Sequence, residues 1–125
     1  MANQYRGEIK GKLGDSERTF RLTFESIVNI ESRTGKSIMD IANDLALNKY
    51  SMKDLVIVLH EALQGAGGKF VQSAVGDMVI KTGIIKVGAL TGEVLGTIFT
   101  GEKTQEDSPL VQGENEQQDT QSSNT

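Results

Sequence analysis

The sequence predicts an α+β fold that is mainly α: an N-terminal β-hairpin, then four or five short helices, then a disordered C-terminal tail. Three observations predict it. Residues 5–23 alternate apolar and polar side chains about the turn-forming run Gly14-Asp15-Ser16. From residue 24, apolar residues recur at spacings of three and four, between Ser/Thr caps and glycine stops. After Gly101 the chain turns to Gln, Asn, Ser, Thr and acid, with Leu110 and Val111 as its one apolar pair. A segment of that composition buries too little surface to offset its ordering entropy. The expected division is therefore a hairpin-plus-helices domain over 1–100 and a polar, acidic tail over 101–125.

In the first strand, 5–13, Ile9 and Leu13 face one way and Glu8, Lys10 and Lys12 the other. The return strand, 17–23, puts Phe20 and Leu22 on one face and Thr19 and Arg21 on the opposite one. A lone hairpin is marginal in water, so it must lean on the helices or on another subunit. The first helix, 24–34, is capped by the Thr23 hydroxyl, carries Phe24, Ile27, Val28 and Ile30 as its apolar face, and ends at Gly35. The second, 37–48, starts at Ser37 with Asp40 at the capping-box position and turns Ile38, Ile41, Ala42 and Leu45 to one side. Ser51, with Asp54 three residues on, starts the third, whose buried face is Leu55, Val58, Leu59, Ala62 and Leu63 and which stops at Gly65. The fourth, 71–82, sets Val71, Val75, Met78 and Val79 on one side and breaks at Gly83. The stretch 84–99 contains β-branched residues and three glycines that strands also accept. The four-residue spacing of Gly88, Gly92 and Gly96 instead makes one smooth groove along a helix face, and helix is the reading adopted.

The charge is unevenly placed. The net charge is −4, and residues 101–125 hold six acids and one lysine, so the tail alone is about −5. Residues 1–100 hold twelve Lys/Arg against eleven Asp/Glu, close to neutral. No basic stripe exists for nucleic acid. With no cysteine, disulfides and thiolate metal sites are excluded. No stretch has the length of a membrane span or the apolar core of a signal peptide, so the expectation is a soluble cytoplasmic protein.

Chemical motifs are approached and not completed. Gly35-Lys36-Ser37 resembles the end of a phosphate-binding loop, but Ile30 stands where its first glycine belongs and a helix precedes it. His60-Glu61 begins a zinc-helix pattern whose second histidine would be residue 64, which is Gln64. Gly65-Ala66-Gly67 lacks the third glycine of a dinucleotide loop, because Phe70 is there. Glu25 and Glu31, six residues apart, lie about 240° apart around a helix and share no cleft. The expectation is no enzyme, no cofactor and no metal.

The order of elements carries a resemblance. A short hairpin is followed by Thr23, Phe24, Glu25, Ile30, Glu31, Thr34, Gly35, Ser37 and Ile38, then by a third helix ending in Gly65, Ala66 and Gly67. Over roughly residues 5–100 this resembles a family from bacterial gene transfer agents and related tailed prophages. That family is a small product of the tail gene cluster, described as a tail assembly chaperone and sometimes labelled a tail tube protein. The resemblance implies a helical, non-enzymatic chaperone present in the bacterial cell during particle assembly. Its implied partners are phage-like tail proteins, the tape measure protein first and the tail tube protein second, with self-association possible and neither nucleic acid nor membrane as partner. A structural tube or connector subunit is the alternative. The surface expected to hold the partner is the last helix: Ile84, Ile85, Val87, Leu90, Val94, Leu95, Ile98 and Phe99. The acidic tail is a second candidate, as a flexible recruiting arm.

Overall fold

A computed structural model describes residues 7–100. The expected tail over 101–125, and the start of the first strand, lie outside the described residues. Two strands, β1 (Glu8–Leu13) and β2 (Ser16–Arg21), precede five helices: α1 (Phe24–Thr34), α2 (Ile38–Ala46), α3 (Met52–Gly65), α4 (Gln72–Thr82) and α5 (Ile84–Phe99). The predicted α+β hairpin-plus-helices architecture is therefore the observed one, with five helices.

The strands pair antiparallel with Ile9 opposite Phe20 and Leu13 opposite Ser16. Glu8 faces Arg21 and Lys12 faces Glu17 across the ladder, so the wet face carries complementary charge pairs. Gly14 turns the hairpin with φ of 72°, a conformation that a residue without Cβ adopts freely. On the dry face Leu13 and Phe20 are fully buried against the helices. The tip is fastened to the end of α4: Gly14 N–H donates to Thr82 Oγ1 at 2.7 Å, and Lys81 pairs with Asp15 at 2.8 Å. The hairpin thus gains from its own chain the support that it lacks alone.

Helix α3 is the axis of the domain and contacts β2, α1, α4 and α5. The expected face, Leu55, Val58, Leu59, Ala62 and Leu63, is buried. Val56 and Ile57 are buried as well, because the helix lies between two apolar clusters. One cluster joins it to the hairpin, α4 and α5. The other joins it to Ile30 of α1, Ile41 of α2 and Leu95 of α5. A helix apolar nearly all round is a central one.

Three expectations are corrected. Phe24 and Val28 belong to the expected apolar face of α1, but Phe24 is 81% exposed and Val28 45%. The helix instead turns Ser26 and Ile30 inward, because the Thr23–Ser26 capping box and a hydrogen bond from Ser26 Oγ to the Glu61 carbonyl draw its first turn onto α3. Val71 does not join the α4 face; it is the exposed N-cap residue. The capping boxes expected at α2 and α3 are half made. Ser37 and Ser51 accept from the Asp40 and Asp54 N–H groups at 3.0 and 3.1 Å. The Asp54 carboxylate, however, turns to Lys36.

Candidate functional site

The α1–α2 turn uses every polar residue of its motif locally. Thr34 Oγ1 donates to the Ile30 carbonyl at 2.8 Å and accepts from the Lys36 N–H at 3.1 Å. Gly35 ends the helix with φ of 74°. Glu31 reaches over the turn and accepts from the Ile38 N–H at 2.8 Å, satisfying an orphan donor of α2. Lys36, which stands where a phosphate-loop lysine would, is held by Asp54 at 2.7 Å and Asp44 at 3.3 Å. Those bonds, to Asp54 first and Asp44 next, raise its pKa above the ordinary 10.5. The arrangement neutralises the ammonium and offers no cradle for an anion.

His60 is a bridging residue. Its Nε2 lies 2.6 Å from the Phe70 carbonyl, a geometry that makes Nε2–H the donor and leaves Nδ1 to accept from Arg33 Nη1 at 3.0 Å. Arg33 also pairs with the buried Glu61 carboxylate at 2.7 Å, and Asn29 donates to the same carboxylate at 3.2 Å. The network ties α1 to α3 and to the loop before α4. Its groups are mutually satisfied, which is what burial of Glu61 requires. Glu25 and Glu31 do not converge, since Glu31 is spent on the α2 cap. Among the described residues no group of three or more His, Asp or Glu is placed to hold a metal, and no helix is long and apolar enough to cross a membrane.

An open groove of 910 Å³ lies between α2 and α5. From α5 it is lined by Ile85, Gly88, Ala89, Gly92, Leu95, Gly96 and Phe99. From α2 and the following loop come Ala42, Leu45, Ala46, Asn48 and Tyr50. Among the described residues no charged side chain lines it. The three glycines form its floor, and they differ. At Gly88 the Tyr50 hydroxyl occupies the place a Cβ would take, so close packing within the chain explains that glycine. At Gly92 and Gly96 a Cβ would meet nothing among the described residues within 4 Å. A glycine in a helix interior costs about 0.5–1 kcal/mol relative to Ala, and nothing among the described residues uses the space these two leave.

The eight residues expected to form the partner surface divide by helix geometry. Val87, Leu90 and Val94 are buried in the core and carry α5 on α3, α4 and the hairpin. Leu90 lies under Gly11 of β1, where a side chain would collide with it. Leu95 is buried against Ile30, Ile41 and Ile57, and its edge reaches the groove wall. Ile84 and Ile85 are exposed at the start of the helix, Ile98 is half-buried and Phe99 is exposed at its end. Ile85 and Phe99 thus mark the two ends of the groove. The opposite wall, Ala42, Leu45, Ala46 and Tyr50, was not singled out from the sequence. The signal available was the small-residue pair Ala42 and Ala46, four apart on α2 and matching the glycine row. A second apolar patch, Phe24 and Val28 one turn apart on the expected apolar face of α1, lies on the surface.

The family model described as phage tail tube protein, GTA-gp10, matches residues 6–101, and the chain belongs to that family. No curated protein and no solved structure matches the chain.

Proposed function

We propose that this chain is a component of a phage-like tail that works by binding other tail proteins, with no chemistry of its own. The family match over residues 6–101 carries the reading. The family description names the tail tube, which favours a structural subunit of the tube or its connector. The apolar groove between α2 and α5 supports a binding role: it is long, uncharged among the described residues, and two of its three floor glycines, Gly92 and Gly96, face space that no contact of the described chain fills. Such a surface admits the backbone of a neighbouring element at close range.

A second reading, a tail assembly chaperone that keeps a client such as the tape measure protein soluble, is favoured by the sheet. Its two strands among the described residues are far fewer than a closed ring of strands requires.

One experiment separates the two. The chain is co-expressed with the products of its neighbouring tail genes, and soluble complexes and purified particles are both assayed for it. A fixed copy number in particles, in register with the tube, makes it a structural subunit. Capture of an otherwise insoluble tail protein, with the chain missing from particles, makes it a chaperone. Absence from both rejects a role in the tail.

A further inference from the structure

The α2–α5 groove ends where the described chain ends. Phe99 and Gly96 form its last wall, and the chain leaves from Thr100 beside them. The twenty-five residues that follow contain one apolar pair, Leu110-Val111, set after Pro109. We propose that this pair seats in the groove, so that the chain covers its own binding surface until a partner displaces it. The idea rests on the groove being the binding surface; its test uses the chain alone, so its failure leaves that reading standing.

Length permits it. Ten residues from Thr100 to Leu110 span up to about 33 Å when extended. The groove from Phe99 back to Ile85 is about 21 Å of helix. The pair therefore reaches any point along the glycine floor, running antiparallel to α5. Shape permits it as well, because Gly92 and Gly96 leave open space where an apolar side chain of the segment fits. Charge sets the direction. The far end of the groove has exposed Lys49 between the lining residues Asn48 and Tyr50. A segment running back along α5 brings Glu114 and Glu116, which follow the apolar pair, toward that lysine. The tail carries all of the acid excess of the chain, while no charged residue among those described lines the groove. Tethering supplies an effective concentration of order mM, so a short segment suffices for occupancy and stays weak enough to be displaced.

The chain has no cysteine, so Gln112→Cys in the full chain takes a single nitroxide label. Amide spectra of the isotope-enriched, labelled protein then report what lies near residue 112. With the segment seated at that effective concentration, the Gly92 and Gly96 amide signals fall about fivefold relative to Glu17 on the exposed hairpin face. Adding Leu110→Asp and Val111→Asp to the labelled chain restores them. Weak, uniform broadening in the labelled protein overturns the proposal. Broadening that appears only between separate labelled and enriched molecules, and grows with concentration, also overturns it and assigns the groove to a second copy.

Discussion

Glu31, in the last turn of α1, accepts a hydrogen bond at 2.8 Å from the backbone N–H of Ile38, the first residue of α2. One helix thereby caps the next across a three-residue break, Gly35 to Ser37. Glu31→Ala removes the acceptor and leaves Ser37 Oγ as the remaining side-chain cap. The expected loss is about 1 kcal/mol, and Glu31→Gln, which keeps a carbonyl oxygen, recovers more than half of it. Urea unfolding of the three proteins at neutral pH checks this. Equal stability of Glu31→Ala and the parent would show that the cap contributes nothing.

Gly65 has a steric task in addition to ending α3. A side chain there would collide with the Arg21 carbonyl at the end of β2, and would press on Ser26 Oγ of α1. Gly67, with φ of 96°, makes the turn itself, and the Gly68 N–H closes it on the Leu63 carbonyl at 2.8 Å. Gly65→Ala is therefore expected to destabilise by about 1–3 kcal/mol, although alanine is the better helix former. Thermal or urea unfolding measures it, and a neutral or stabilising result would refute the close approach of hairpin and helix.

The glycine row of α5 separates residues needed by the fold from residues that the fold does not use. Gly92→Ala and Gly96→Ala meet open space and are expected to stabilise by about 0.5–1 kcal/mol each. Gly88→Ala meets the Tyr50 ring and is expected to be less stable than either. The two stabilised variants should bind their tail partner more weakly, because each methyl group narrows the floor of the groove. Stability that rises with partner binding unchanged would remove the groove from the binding surface.

Lys36 predicts a pH dependence. Its pKa lies above 10.5 because Asp54, and after it Asp44, hold the ammonium. A group whose pKa is raised on folding contributes fully below its unfolded value, and the contribution is lost as pH climbs through the folded one. The Tm gap between the parent and Lys36→Met should stay constant up to about pH 10 and narrow above it. Lys36→Arg, which holds its charge at higher pH, should keep its advantage over Lys36→Met there. A gap that stays flat to about pH 12 would exclude the ion pair as its source.

Local chemistry made much of this protein legible in advance. Alternation about Gly14-Asp15, caps at Thr23, Ser37 and Ser51, and stops at Gly35, Gly65 and Gly83 act within a few residues, so hairpin and helices could be located from the chain alone. The glycine spacing in α5 likewise announced a groove on one face. The side of each helix that meets the core is a different matter, because it depends on which neighbour lies there. Phe24 and Val28 have the right period for a buried face, yet the Ser26–Glu61 contact and the Arg33–Glu61 pair rotate α1 so that they point outward. Val56 and Ile57 became core because α3 is covered on more than one side. Half of the residues expected to face a partner, Val87, Leu90, Val94 and Leu95, were drawn inward by packing on α3 and the hairpin. The amino-acid order by itself determined the elements and their ends, since those rest on backbone conformation and capping bonds between near neighbours. The tertiary structure decided which faces are buried and which line the groove, since a helix with apolar residues on several sides is oriented only by the surfaces packed against it.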